Sequence, residues 1–142
     1  MHEVGLREYF YLQVPQRPGE AARILSQLKD AGVNLVAFSG FPAGRRAQID
    51  LVPDDAGAFR QVAKKAGWKL VGPKKVFVIA GEDRAGALAG VVQKLADAKI
   101  NITATQAVGA GSGRFGGLLW VAPRDVKRVA AALGATEVHR AA

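Results

Sequence analysis

The chain has 142 residues, 49% apolar and 23% charged, the proportions of a globular protein and not of a disordered one. Lys and Arg outnumber Asp and Glu by 20 to 12, for a net charge of +8, and cysteine is absent, which excludes disulfides, thiolate chemistry and Cys-ligated metal sites. The histidines are His2 and His139, one near each end and in no ligand or triad spacing, so no metal, no cofactor and no enzymatic activity are predicted.

No apolar run approaches the roughly 20 residues of a membrane span. The start, Met1-His2-Glu3-Val4-Gly5, lacks the basic and apolar stretches of a secretory leader, so the expectation is a cytoplasmic protein without a membrane partner. The basic excess is spread along the chain and clusters no further than the pairs Arg45-Arg46, Lys64-Lys65 and Lys74-Lys75. That is the pattern of a solvated surface, not of a nucleic-acid-binding arm.

In chain order, residues 9–14 read as a strand of aromatic and aliphatic residues. A turn with Pro18-Gly19 follows. Ala21, Ile24, Leu25, Leu28 and Ala31 then fall on one helical face, and Gly32 ends the helix. Residues 35–39 read as a strand and residues 40–44 as a loop. A third strand places Ala47, Ile49 and Leu51 inward and Gln48 and Asp50 outward. After Pro53 comes a helix with Asp54 as its first candidate cap and Phe59, Val62, Ala63 and Ala66 on its apolar face. Residues 68–71 form a short strand, and Gly72-Pro73-Lys74-Lys75 reads as a linker.

The order then repeats. Arg17, Gly19, Ala22, Leu28, Asp30, Ala31 and Asn34 recur unchanged 67 residues later as Arg84, Gly86, Ala89, Leu95, Asp97, Ala98 and Asn101. Residues 76–80 are the first strand of the second copy. Leu88, Val91, Val92, Leu95 and Ala98 form its helical face, and Lys99 stands where the first copy has Gly32. Residues 102–108 are its second strand. Pro123 aligns with Pro53 at an offset of 70, so the second copy holds three extra residues, placed in the Gly-rich stretch 109–117. Its third strand turns Gly117, Leu119 and Val121 inward, and Leu118 and Trp120 stand where the first copy has Gln48 and Asp50. An outward Leu and Trp predict that this face is covered, by the other copy or by another subunit. Its second helix has Arg124 as first candidate cap and Val126, Val129, Ala130 and Leu133 on its apolar face. Residues 136–139 close the copy.

The pattern is βαββαβ written twice. The fold class is therefore α+β: two ferredoxin-like units, each an antiparallel sheet with helices on one face. The expected division is residues 8–71, a linker at 72–75, and residues 76–140. Gly111-Ser112-Gly113-Arg114-Phe115-Gly116 matches GxGxxG, but it lies between two strands and opens no helix, so it reads as a hairpin loop. Glu20, Glu82 and Asp83 lack a nucleophile or histidine beside them, so they do not read as catalytic.

The strand-to-helix turns Gln16-Arg17-Pro18-Gly19-Glu20 and Asp83-Arg84-Ala85-Gly86-Ala87 repeat the same chemistry. Free N–H groups at a helix start, with glycine for close approach, suit a carboxylate. Asn34 and Asn101, at the hand-over from helix to strand, offer a donor and an acceptor; a turn role explains them equally well.

With Gly32-Val33-Asn34-Leu35 and Lys99-Ile100-Asn101-Ile102, these turns make each copy resemble the ACT domain, a small ligand-binding module of amino-acid metabolism. The resemblance spans residues 8 to about 140. It implies two ACT-like domains that pair side by side and bind an amino acid at Arg17, Pro18, Gly19, Glu20 and Asn34, and at Asp83, Arg84, Ala85, Gly86, Ala87 and Asn101. Gln16 in place of an acid, and Ala85 in place of Pro, imply that the two sites differ in affinity or that one is silent. The implied function is an amino-acid sensor or a free-standing regulatory subunit for a partner enzyme, as a homodimer. The alternative is a ferredoxin-like module that binds nucleic acid or protein and no small molecule.

Overall fold

The computed structural model describes residues 2–138. Its elements are β1 (His2–Pro15), α1 (Glu20–Asp30), β2 (Leu35–Ala43), β3 (Arg46–Pro53), α2 (Ala56–Ala66), β4 (Val71–Glu82), α3 (Ala89–Asp97), β5 (Ile102–Gly109), β6 (Arg114–Val121), α4 (Val126–Leu133) and β7 (Thr136–Glu137). The fold is α+β, with ferredoxin-like βαββαβ units, each of antiparallel strands with helices packed on one face. The chain divides into two compact units. The first is Glu8–Lys74, and the second joins residues 2–7 to Lys75–Val138.

In the first unit β3 lies between β1 and β2, antiparallel to both, with Leu51 opposite Phe10 on one side and Phe38 on the other. The inward residues of β1 and β3 pack with one stripe of each helix: Phe10, Leu12, Ile49 and Leu51 meet Ile24 and Leu28 of α1 and Phe59 of α2. Burial of each such side chain contributes about 1.5–3 kcal/mol. Phe59 stacks on Phe10 with ring centres 5.1 Å apart. Leu25, expected on the buried stripe, is 37% exposed, because only the i, i+4 row through Ile24 and Leu28 reaches the sheet.

The second unit repeats this with β6 between β4 and β5, Leu119 lying opposite both Phe77 and Thr105. Val91 and Leu95 of α3 and Val129 of α4 fill its core. Val92, the counterpart of Leu25, is likewise exposed. Here an addition to βαββαβ appears. The first half of β1 lies on the free side of β4, and β7 pairs with it in parallel, Gly5 opposite Thr136 and Leu6 opposite Glu137. Val4 and Leu6 are buried in the second unit's core.

Several local expectations are corrected. Residues 72–75 are not a loop but part of β4, and the units divide between Lys74 and Lys75. Residues 68–70 are not a strand; the Trp68 N–H closes the end of α2 on the Ala63 carbonyl at 3.0 Å. β2 continues through Ala43, so the loop expected at 40–44 shrinks to a turn at Gly44 and Arg45. The cap of α2 is Asp55, not Asp54: its side chain accepts the Ala58 N–H at 3.2 Å. Arg124 caps nothing. It lies in a 3-10 turn, Pro123–Asp125, ahead of α4, and buried Asp125 accepts from Arg128 at 3.1 Å. The last strand is Thr136–Glu137; His139 and Arg140 lie outside the described residues.

The helix ends show what the duplication kept. The Val33 N–H bonds to the Leu28 carbonyl, and the Ile100 N–H to that of Leu95, each at 2.9 Å. This closure needs a left-handed residue before the donor. Gly32 supplies it at φ 71°, and Lys99 is driven to φ 58°. A side chain in that region is disfavoured. Lys99→Gly is therefore expected to stabilise the chain by about 0.5–1 kcal/mol, read as a higher urea midpoint. An unchanged or lower midpoint contradicts this account of the turn.

Candidate functional site

In the first unit the strand-to-helix turn is closed on itself. Arg17 Nε donates to Glu20 Oε2 and Arg23 Nη2 to Glu20 Oε1, both at 3.3 Å. The Glu20 side chain is 13% exposed under these two arginines. Burial acts to raise its pKa, but the hydrogen bonds and charges of Arg17 and Arg23 outweigh it and hold the carboxyl below its usual range. Pro18 and Gly19 form the exposed bend, Gly19 at φ 91°. The neighbouring Gln16 amide donates to the Gly44 carbonyl at 3.3 Å and the Arg46 carbonyl at 2.8 Å, which ties the turn to the β2–β3 hairpin.

In the second unit the same tie is made by backbone. The β5–β6 turn is one residue longer than the β2–β3 turn, not three as expected, since Leu119 takes the place of Leu51 and the other two extra residues fall between β6 and α4. It brings the Gly113 carbonyl within 2.8 Å of the Asp83 N–H. The side chain at this position is thereby released from bridging the hairpin. The Asp83 carboxylate lies over Gly109, where a Cβ would come within 2.8 Å of its Oδ2. Position 87, the counterpart of Glu20, is alanine, and position 90, the counterpart of Arg23, is glycine. Among the described residues no carboxylate reaches Arg84, which has no side-chain hydrogen bond or ion pair with any of them. The N–H groups of Ala87 and Ala89 bond the Arg84 and Gly86 carbonyls, both at 3.0 Å.

A cavity of about 380 Å³ opens at this point, lined by Asp83, Arg84, Gly86, Ala87, Leu88, Ala89, Ala107, Val108, Gly109 and Phe115. Four of the six second-copy residues named from the sequence line it. Ala85 is on the exposed bend outside the lining. Asn101 is exposed beyond the far end of α3. Asn34 is placed likewise: α1 has 11 residues, about 16 Å at 1.5 Å per residue, between Glu20 and the hand-over to β2. Its carbonyl accepts the Asp54 N–H at 3.1 Å. Within each unit, then, the asparagine and the strand-to-helix turn occupy opposite ends of one helix.

Sequence reasoning missed the apolar wall of Leu88, Ala107, Val108 and Phe115. The one available signal was Val108 at the end of an edge strand, 66% exposed. Asp50 lies, as expected, on the sheet face opposite Leu51, but it is only 6% exposed there, beside Gln48, whose amide donates to it at 3.0 Å. Burial pushes its carboxyl up, opposed by the Gln48 hydrogen bond and the Lys74 charge. Leu118 is buried and Trp120 half-buried.

The fold and this turn together define an α+β protein of ferredoxin-like units with a pocket at the start of α3. No protein-family model and no curated protein sequence matches the chain. Solved structures do match. Protein BT0572 from Bacteroides thetaiotaomicron is 14% identical over 92% of this chain and 88% of its own, with a TM-score of 0.79. The ligand-free regulatory subunit of aspartate kinase from Thermus thermophilus is 15% identical over 94% and 93%, with a TM-score of 0.61. Aspartate kinase from Synechocystis is 19% identical over 94% of this chain and 25% of its own, also with a TM-score of 0.61. At these identities the likeness is one of fold. Among the described residues no helix is long and apolar enough to cross a membrane.

Proposed function

We propose that the chain is a tandem pair of ACT-type modules that binds an amino acid and regulates a separate enzyme of amino-acid metabolism, without catalysing a reaction itself. The observation that carries this reading is the cavity at the start of α3, where one acid and one base, Asp83 and Arg84, stand beside an apolar wall. An ammonium and a carboxylate on one carbon match that pair. The likeness to an aspartate kinase regulatory subunit supports the regulatory half of the reading. Regulation by such a module is a shift of population toward the arrangement that the ligand binds better. A homodimer belongs to the proposal: β2 is an outer strand with Val36, Phe38 and Phe41 exposed along it, an edge that a second copy would cover.

Thermal unfolding in the presence of each protein amino acid tests this. A ligand that binds the native state stabilises it by about 2.7 kcal/mol at 100 times its dissociation constant, so at least one amino acid is expected to raise the melting temperature by several degrees. The rise is expected to disappear in Arg84→Ala. No shift with any of them at millimolar concentration overturns the proposal.

A further inference from the structure

We infer that the second-unit cavity selects an α-amino acid with an uncharged, apolar side chain, and that the chain takes one such ligand because Glu20 closes the corresponding turn of the first unit. The inference rests on the amino-acid reading above and narrows it to a ligand class and a stoichiometry.

The charges of the wall set the class. Asp83 and Arg84 are its charged groups, and an amino acid's ammonium and carboxylate neutralise both. A lysine or aspartate ligand brings a third charge to a wall otherwise made of glycine, alanine, Leu88, Val108 and Phe115, and a charge placed against apolar surface without a partner is costly. Val108 is 66% exposed at the rim while Phe115, 6% exposed, forms part of the wall. An aliphatic side chain laid between them removes apolar surface from water on both partners. Gly109 fixes the position of the acid, since any side chain there displaces the Asp83 carboxylate.

The stoichiometry follows from three differences at aligned positions. Gln16 replaces Asp83, so the first turn has no acid at the position where the second would meet an ammonium, and the Gln16 amide is held by the β2–β3 hairpin. Glu20 replaces Ala87 and lies on Arg17. Arg23 replaces Gly90 and holds the other oxygen of the same carboxylate. A ligand carboxylate entering the first turn would have to displace one that is already tethered there, at a high effective concentration.

Isothermal titration of the full chain with L-leucine, L-valine, L-lysine and L-aspartate is the test. Leucine or valine is expected to bind at one per chain, with lysine and aspartate at least tenfold weaker. Gly109→Val is expected to weaken the apolar ligand at least tenfold while the melting temperature without ligand stays within about 2 °C. Lysine or aspartate binding as tightly as leucine, abolished by Arg84→Ala, overturns the ligand class and leaves the amino-acid reading standing. Two leucines per wild-type chain overturn the closure by Glu20. Binding unchanged in Gly109→Val overturns the role of Asp83. No heat and no thermal shift with any amino acid overturns this inference together with the reading beneath it.

Discussion

A chain lacking residues 2–7 is expected to lose about 3–6 kcal/mol of stability, with the loss falling on the second unit. Val4 and Leu6 are 9% and 8% exposed and belong to the same core as Phe77, Leu95, Phe115 and Val129. Each such side chain contributes about 1.5–3 kcal/mol through burial. Backbone pairing is lost with them. The Val138 N–H bonds to the Leu6 carbonyl at 2.9 Å, and β7 pairs only with β1 among the described residues. Truncation strips β7 of its neighbour and exposes one edge of β4. Hydrogen exchange on the truncated chain should show protection lost in α4 and in Leu95 of α3, while Phe10 and Phe59 of the first unit keep theirs. A truncated chain with the wild-type urea midpoint contradicts the assignment of this strand to the second core. The double variant Val4→Ala, Leu6→Ala keeps the strand and separates side-chain from backbone loss; it is expected to account for most of that cost. His2 stands edge-on to Phe115 at 5.8 Å, and Phe115 lines the cavity. Weaker ligand binding is therefore expected to accompany the truncation.

This strand was legible and was overlooked for a reason that the repeat itself supplies. Val4, Leu6, Phe10, Leu12 and Val14 alternate with a period of two, broken only by Glu8. The duplicated pattern begins near residue 9, so the residues before it looked surplus to a complete βαββαβ unit. The helices were readable because Ile24 and Leu28, and Val91 and Leu95, repeat at helical spacing and do reach the cores. The differing chemistry of the two turns was also on the page, as Gln16 against Asp83. Its consequence was not. Whether an acid at position 83 bridges to the hairpin or faces a cavity depends on how far the β5–β6 turn reaches, and that turn is one residue longer than its counterpart, with a conformation the sequence leaves open. The asparagines were grouped with the turns by resemblance, although one helix length separates them within each unit.

Gly72→Val is expected to cost about 2–6 kcal/mol, an effect that the linker reading of residues 72–75 would put near zero. Gly72 has φ 131°, a region close to glycine-only, where another residue costs about 1–3 kcal/mol. A Cβ there would also lie 2.9 Å from Phe10 Cδ2, 2.9 Å from the Tyr9 carbonyl oxygen and 3.3 Å from the Lys74 nitrogen. Neither of the two closest atoms can move aside cheaply. Phe10 is 1% exposed, stacked on Phe59 and covered by the Arg60 guanidinium at 5.4 Å. Tyr9 is held in register by the pairing of its neighbour Phe10 with Leu51. Forcing this contact adds about 1–3 kcal/mol of overpacking. The comparison is Gly40→Ala on β2, where the Cβ meets nothing within 4 Å and the change is expected to stay within about 0.5 kcal/mol. Urea denaturation of the two variants against wild type decides the matter. If Gly72→Val unfolds within 1 kcal/mol of wild type, the close approach of β4 to Phe10 does not hold in solution and residues 72–75 behave as a loop. If it falls by the expected amount, the glycine that reads as punctuation in the sequence is a packing residue of the first core.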